Sequence, residues 1–471
     1  MAEKRLDTDF LDRAINYAVK AHAGTERRGK GFPYIVHPME AMEIVSTITS
    51  DQELLAAAVL HDTVEDTDVS VEDLRKEFGS RVAGIVEEES DRFTPGISAE
   101  ASWHDRKQAA IERLAKASMD AKIVAMGDKL SNMRAIARDH YRMGDELWNI
   151  FHNKDKAQHE WHYRGLAQSL RELADTEAYA EFVTLLNKVF PIGRDEMAPV
   201  KIDLADYEQS GEGGTAISYN HKDGKTMIKL YNDYMPKDVP AREYGVARAI
   251  QDMGIVTPKV GRIVTDGSRT GVEFQRISPK KSFARMMSED PGTTQDLAVR
   301  FAKIAKELHS KQCDTTFFPN IKDFFYRVVS GDKFLTESQK TVVRNFIRSV
   351  PAAQTCLHGD LHVGNVITDG TTDYLIDNAD FSFGNPLFDL GQIYLTGCVI
   401  EEPMAIYLFH MTTAQLRTWW EAFVPEYFPG EDIEKINRML DPFAALMLLF
   451  FGNRTEMTDG MLSFIKQSFG F

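Results

Sequence analysis

Cysteine is scarce in this chain of 471 residues: there are three, Cys313, Cys356 and Cys398, far apart and with no Cys-x-x-Cys pair. That scarcity excludes a disulfide framework and a cysteine zinc site, and it makes the cytoplasm the expected compartment. The opening segment MAEKRLDTDFLDRA lacks an apolar core, so no secretory signal is expected. No stretch approaches the ~18 consecutive apolar residues of a membrane helix. The most apolar window, Phe443 to Phe451, has the length of a buried helix. Excess positive charge is missing as well. With 71 acidic against 55 basic residues and a net charge of −16, general nucleic-acid binding is not expected. A small phosphorylated ligand, which needs only a local basic pocket, stays compatible with that balance. Internal repeats and low-complexity tracts are absent.

What is present suits a multidomain globular protein. At about 100–200 residues per domain the length predicts two to four domains. An apolar content of 43% supplies two buried cores. Up to about residue 190 the apolar spacing is helical. Phe10, Leu11, Ala14, Ile15 and Ala18 recur at helix spacing, as do Leu54, Leu55, Ala58 and Val59. Further helices are predicted over 71–78, 81–86, 106–117, 121–138, 161–173 and 178–189. After Pro199 the pattern changes. A hairpin is predicted over 215–219 and 226–231, a helix over 241–253, and strands over 260–264 and 272–276. These strands followed by a helical body predict an α+β domain of two lobes. The boundary falls in PIGRDEMAP, which divides the chain into 1–195 and 196–471.

Two constellations carry chemistry. In the first half, His37 lies in PYIVHP, His61, Asp62, Glu65 and Asp66 in LHDTVEDT, and Asp128 and Asn132 in GDKLSNMR. Imidazoles with carboxylates suit a divalent ion that activates water. His61 and Asp62 are adjacent, so they can hold one ion only from a helix end or a bend. Glu65, one turn beyond His61, can set a carboxylate beside such a site.

In the second half, CLHGDLHVGNVI places His358, Asp360 and Asn365 at the H-x-D-x-x-x-x-N spacing of a kinase catalytic loop. The carboxylate takes the proton of an attacking hydroxyl, and the amide binds a metal on the nucleotide phosphates. Asp377 follows the apolar run YLI, where kinases place a second metal-binding acid. Asp389 opens a helix. Upstream, 210–215 (SGEGGT) can cover phosphates, Lys229 on the next strand can reach them, and Glu243 can pair with Lys229.

The stretches RRGKGFPYIVHP, LLAAAVLHDTVEDT, MGDKLSNMRAI and EWHYRGLAQSLREL resemble the HD hydrolase domain of RelA/SpoT-type enzymes, above all the small alarmone hydrolases. The resemblance implies an all-α HD-domain bundle that removes the 3′-pyrophosphate of ppGpp or a related nucleotide. It implies one manganese ion on His37, His61, Asp62 and Asp128, with Glu65 and Asp66 orienting or activating water. It implies a basic residue at Arg28, with Arg27 as its rival, against guanine, and Asn132 seating the nucleotide. No synthetase domain follows.

HGDLHVGN with the downstream IDNADFSFGNPLFDL is similar to aminoglycoside phosphotransferases and the related choline, homoserine and sugar kinases. This implies Asp360 as catalytic base, Asn365 and Asp377 on magnesium, Lys229 on the phosphates, Glu243 orienting Lys229, and His358 and Asp389 supporting the loop. Asn378 and Ala379 follow Asp377, where the family often has Trp or Phe. VEFQRISPKKSFARMM resembles the adenine-cradling linker. The C-terminal helices, with LRTWWEAF and FAALMLLFFGNR, enclose the expected acceptor pocket, although their rings read foremost as core. The expected molecule is a bifunctional cytoplasmic enzyme. It acts on an alarmone-like nucleotide and, with ATP or GTP, on a small hydroxylated acceptor, and it engages no membrane. The competing readings make one domain a nucleotide sensor for the other, or give the kinase half a macromolecular target in a toxin or defence system.

Overall fold

The computed structural model describes residues 8–27, 30–90, 103–191, 199–454 and 457–471, and the chain separates into two compact units, Met1–Pro191 and Ile192–Phe471. Residues 192–198 of the predicted boundary segment lie outside the described residues.

The described part of the first unit is helical throughout: α1 (Thr8–Ala21), α2 (Val36–Ile48), α3 (Gln52–Leu60), α4 (Thr63–Asp66), α5 (Val71–Phe78), α6 (Ser80–Glu89), α7 (Trp103–Lys116), α8 (Met119–Met143), α9 (Lys156–Ser169) and α10 (Glu177–Val189). Side-chain caps start many of them. Asp51, Ser118, Asp155 and Thr176 accept backbone N–H bonds at the heads of α3, α8, α9 and α10, and Ser70 with Asp73 forms a capping box on α5. Gly79, at φ +90, turns the chain between α5 and α6. Helix α3 is the central stave. Leu54 through Leu60 are all buried, as a helix apolar on every side must be. It packs on α1, α2, α6 and α8. Gly127 lets α2 and α8 touch, since a Cβ there would lie 2.6 Å from the Ala41 carbonyl oxygen and 2.8 Å from Val45 Cγ2.

Two details differ from the sequence expectation. The predicted helix 161–173 is α9 followed by a separate 3-10 turn, Arg171–Leu173, because the Leu170 N–H already bonds back to residues 166 and 167 and tightens the chain. Helix α2, which carries His37, was not anticipated.

The second unit is α+β. One lobe holds β1 (Val200–Lys201), β2 (Tyr207–Glu212), β3 (Ala216–His221), β4 (Thr226–Tyr231), β5 (Val260–Thr265) and β6 (Thr270–Gln275) in a six-stranded sheet of order β1-β5-β6-β4-β3-β2. Helix α11 (Val239–Asp252) packs on β5 and β6. Six strands form this sheet, and β1 and β2 are additions to the four whose ranges the sequence pattern marked. The segment 210–215, expected as a phosphate-covering loop, instead gives its first half to β2, and Gly213, Gly214 and Thr215 turn the chain. The ladder shifts register between Gln209 and Gly211. Without a Cβ, glycine enters a β-bulge as readily as a loop, so the composition alone does not separate the two.

The helical lobe follows with β7 (Lys281–Ser282), α12 (Phe283–Glu289), α13 (Thr294–Ser310), α14 (Ile321–Gly331) and α15 (Glu337–Ser349), then β8 (Thr355–Leu357), β9 (Val366–Thr368), β10 (Asp373–Leu375) and β11 (Ser382–Gly384). Helices α16 (Leu387–Tyr394), α17 (Glu402–Phe409), α18 (Thr413–Tyr427), α19 (Ile433–Arg454) and α20 (Asp459–Phe469) complete it. Trp419, Trp420 and Phe423 of α18 are fully buried, with Trp420 stacked on Phe423 and Phe301 edge-on to Trp419, so the rings of LRTWWEAF are core.

Candidate active sites

The first site sits where three helices converge. Helix α3 ends at Leu60, and α4 begins at Thr63, so His61 and Asp62 stand in the break between them. That break lets adjacent side chains face one point. His37 comes from the first turn of α2 and Asp128 from the middle of α8. His37 Nε2 lies 3.1 Å from Asp128 Oδ1 and 3.5 Å from Asp62 Oδ2. His61 Nε2 lies 2.9 Å from Asp62 Oδ2 and 3.6 Å from Asp128 Oδ1. The outer ring nitrogens are tied away. His37 Nδ1 is 2.8 Å from Ser131 Oγ, which donates to Glu40, and His61 Nδ1 is 2.8 Å from the Ala58 carbonyl oxygen. Bonds of this kind fix the tautomer so that Nε2 carries its lone pair inward. His61 Nε2 is buried and makes no hydrogen bond of good geometry. His37, His61 and Asp128 offer ligand atoms all within 4.8 Å of one another, Asp62 lies against both imidazoles and one nitrogen is otherwise orphaned, a donor set that fits a divalent ion.

Charge balance follows from burial and proximity. Burial opposes the charged imidazolium and holds His37 below its ordinary value, whereas at His61 the Asp62 and Asp128 carboxylates outweigh burial and raise it. Burial pushes Asp62 up, but His61 overcomes it and holds the carboxyl at about 2. Burial and the Asp62 charge push Asp66 up. A pocket of about 300 Å³ opens on this cluster. Glu65, Asp66, Glu88 and Glu89 are among its lining carboxylates, and Arg27, Lys107, Arg113 and Lys129 supply positive charge. Asn132 donates to Asp128 Oδ1 at 2.5 Å and accepts from Arg27 at 2.7 Å. Arg28 lies outside the described residues, so its guanine-contact role has no geometry here, while its rival Arg27 lies in the pocket.

Sequence reasoning missed several members. Tyr34 donates to Asp62 Oδ2 at 2.6 Å, and its position in PYIVHP, three residues before His37, was the available clue. His162 lies in EWHYRGLAQSLREL, one of the stretches that carry the resemblance, but was given no role, and Lys107 and Arg113 carried no clue, because no local pattern ties α7 to the metal-type cluster. His162 is buried in the pocket wall, with Nδ1 unbonded.

The second site is in the C-terminal unit. The loop 358–365 runs from β8 to β9. The His358 and Gly359 N–H groups donate to the two oxygens of Asp389 at 2.8 and 2.9 Å, and His309 Nε2 lies 3.2 Å from the same carboxylate. Hydrogen bonds to a charged group contribute about 1.5–3 kcal/mol each, so this buried acid clamps the loop. His358 Nε2 reaches the Ile376 carbonyl oxygen at 2.9 Å and joins the loop to the segment that carries Asp377. Gly359, at φ +81, leaves no room for a Cβ, which would fall 2.1 Å from the Asp380 carbonyl oxygen.

Asn365 Nδ2 donates to the Asp360 carbonyl oxygen at 2.9 Å and contacts its carboxylate at 3.3 Å. Gln392 donates to Asp360 Oδ1 at 3.3 Å. Burial pushes Asp360 up, but the neighbouring His362 outweighs it and holds the carboxyl below its usual range, ionised at neutral pH. Asp377 takes the left-handed conformation, φ 61 and ψ 57, rare for an aspartate and frequent at functional sites. Lys229 on β4 donates to Glu243 on α11 at 2.8 Å. Gln392, His362, His309 and Asp380 were absent from the sequence reading, each outside the H-x-D-x-x-x-x-N spacing or unassigned within it.

The chain matches the family model described as "HD domain" over residues 14–155 and the one described as "Phosphotransferase enzyme family" over residues 218–423. Fold and sites thus define an HD-domain protein joined to a phosphotransferase-type domain. Guanosine-3′,5′-bis(diphosphate) 3′-pyrophosphohydrolase MESH1 of Danio rerio is 37% identical over 136 residues, 28% of this chain and 71% of that protein. Its Drosophila melanogaster counterpart is 37% identical over 123 residues, 26% of this chain and 65% of that protein, just under two thirds of its length. Through its N-terminal unit the chain belongs to the HD-domain family that contains these MESH1 proteins. For the second unit, the crystal structure of a choline/ethanolamine kinase family protein from Mesorhizobium loti is 18% identical over 56% of this chain and 85% of that one, with a TM-score of 0.34.

Proposed function

We propose that the N-terminal unit, residues 1–195, hydrolyses the 3′-pyrophosphate of a (p)ppGpp-like nucleotide with manganese, and that the C-terminal unit, residues 196–471, phosphorylates a small hydroxylated molecule with magnesium and ATP or GTP. The observation that carries the first half is the convergence of His37, His61 and Asp128, with Asp62 against both imidazoles, beside a pocket whose wall places Arg27, Lys107, Arg113 and Lys129 among carboxylates. A divalent ion bound there supplies Lewis-acid activation of water. Glu65 and Asp66 orient the water, and Asp66, with its raised carboxyl, accepts its proton. Arg27 or Arg28 meets the base, and Asn132, fixed between Arg27 and Asp128, seats the nucleotide. Lys107, Arg113 and Lys129 meet the phosphates. The test is manganese binding and pyrophosphate release by the isolated unit. Asp62→Ala is expected to abolish both, and Glu65→Gln to keep the metal and lose rate. Manganese binding with ppGpp and ppApp left intact would refute the alarmone assignment.

In the second unit Asp360 takes the proton of the acceptor hydroxyl, Asn365 and Asp377 hold magnesium, Lys229 steadied by Glu243 binds the phosphates, and His358 with Asp389 keeps the loop in register. Asp360→Asn is expected to cut turnover by about 10²-fold or more while nucleotide binding stays near wild type, because Asp360 faces the acceptor. Asp377→Ala is expected to weaken magnesium–nucleotide binding, read by calorimetry. The three cysteines are free, and no helix among the described residues is long and apolar enough to cross a membrane; a cytoplasmic location accords with both.

A further inference from the structure

We propose that the acceptor of the kinase unit is a bulky amphipathic alcohol: one broad apolar face, one reactive hydroxyl and one basic nitrogen. The proposal rests on the reading of this unit as a small-molecule kinase. A cavity of about 850 Å³ opens beside Asp360. Volumes of this order hold drug-sized ligands, so choline or ethanolamine would leave most of it to water. Its walls are largely apolar, with Leu395, Ile400, Met404, Leu448, Phe451 and Phe464 among them.

The charged groups are of mixed sign. Asp360, Glu401, Glu434 and Asp441 line the cavity together with Arg417 and Arg438. Glu401 already accepts from Thr458 at 2.9 Å, and Asp441 accepts from the Tyr394 hydroxyl at 3.0 Å. The carboxylates are in modest excess, which favours a single cation. A polycation with an amine on every ring would press ammonium groups against Leu395, Leu448 and Phe464, where burial without a partner opposes the charge.

The mouth points the same way. On α17, Ile406, Tyr407 and Leu408 are 50%, 77% and 52% exposed, and Tyr407 and Leu408 line the cavity. Three consecutive large apolar side chains held in water mark a surface that another apolar body covers. At the inner end Asp360 receives the hydroxyl, with Gln392 and Asn365 fixing the carboxylate. The acceptor oxygen forms a bond to the γ-phosphorus, and the bond from that phosphorus to the β,γ-bridging oxygen breaks. The hydroxyl proton passes to Asp360 and then to solvent, and the nucleoside diphosphate leaves.

The experiment uses the full chain with magnesium–ATP and three probes: erythromycin, a macrolactone with a single basic amino sugar; kanamycin, a polycationic aminoglycoside; and choline. ADP release, product mass and calorimetric binding are measured for each. Erythromycin is expected to gain one phosphate with kcat/KM roughly 10-fold or more above the other two. Leu408→Glu is expected to raise its KM by roughly 10-fold, with kcat little changed. Preference for kanamycin or choline, with turnover lost in Asp360→Asn, would overturn the inference while the kinase reading stands. Erythromycin binding without phosphate transfer, or an unchanged KM in Leu408→Glu, would overturn it too. Should no probe bind or react, the inference also falls, and magnesium–ATP binding in wild type against Asp377→Ala judges the kinase reading separately.

Discussion

Glu89 shows how far one residue can depart from its ordinary chemistry. It ends α6 on the wall of the hydrolase pocket, its side chain 8% exposed and 3.8 Å from Lys129. Burial, only partly offset by Lys129, pushes its carboxyl up to about 7 from 4.5. The folded state therefore holds a proton that the unfolded chain releases. Stability is highest below pH 4.5 with respect to this group, and it falls as pH rises toward 7. The loss is about 3 kcal/mol once Glu89 is fully ionised in both states. Glu89→Gln removes the charge and keeps the shape. In metal-free protein its unfolding midpoint is expected to exceed wild type at pH 8 and to approach it at pH 5. A difference that does not change with pH would sink this account. Nothing in the local sequence marks Glu89, since its burial depends on α8 and on the pocket rather than on its neighbours in α6.

Among the elements, the crossing of α2 and α8 governs the hydrolase site. Helix α2 carries His37 and α8 carries Asp128, and the two helices meet at Gly127. A methyl group at 127 would stand 2.6 Å from the Ala41 carbonyl oxygen, inside any tolerable contact. Backbone cannot rotate away as a side-chain tip can, so Gly127→Ala must push α2 off α8. Overpacking of this kind costs about 1–3 kcal/mol. It should also widen the 3.1 Å approach of His37 to Asp128. The expected outcome is a lower melting temperature together with weaker manganese binding. Loss of stability with unchanged manganese affinity would mean that the ligand geometry does not depend on this crossing. The break between α3 and α4 is the second element-scale device. Adjacent residues on an unbroken helix diverge by about 100°, and ending α3 at Leu60 frees His61 and Asp62 to face one point.

At the scale of the whole molecule, each unit has its own core: the α1–α3–α6 cluster in the first, the sheet and helical lobe in the second. Residues 1–195 expressed alone are therefore expected to fold and to keep the turnover of the intact chain. Fusion fixes the stoichiometry of two activities, but coupling requires a free energy shared between the sites. A shared energy of about 1–3 kcal/mol corresponds to roughly a 5–150-fold effect of magnesium–ATP on ppGpp hydrolysis. A modest effect within that range is expected for the full chain and none for the isolated half. Equal rates in all three measurements would establish two independent enzymes on one polypeptide.

The sequence by itself determined the helical first half, the change to strands after residue 199, and the residues of both motifs. Apolar periodicity and motif spacing are local properties, legible in a window of a few turns. It also held, without revealing them, the helix that carries His37 and the first two strands of the sheet. His-Pro obscured the helical pattern of α2, and the glycines of 210–215 read equally as loop or bulge. Tertiary structure alone decided which side chains share a point. His37, His61 and Asp128 meet only because α2, α3 and α8 pack, and Tyr34, Lys107 and His162 join them from three further segments. It likewise decided that Trp419 and Trp420 are core while Leu448 and Phe451 face a cavity, although all four lie in similar apolar helices. The physical reason is the same throughout: burial and proximity are set by contacts between residues distant in the chain, and no local pattern encodes which of two apolar faces meets a neighbour and which meets a ligand.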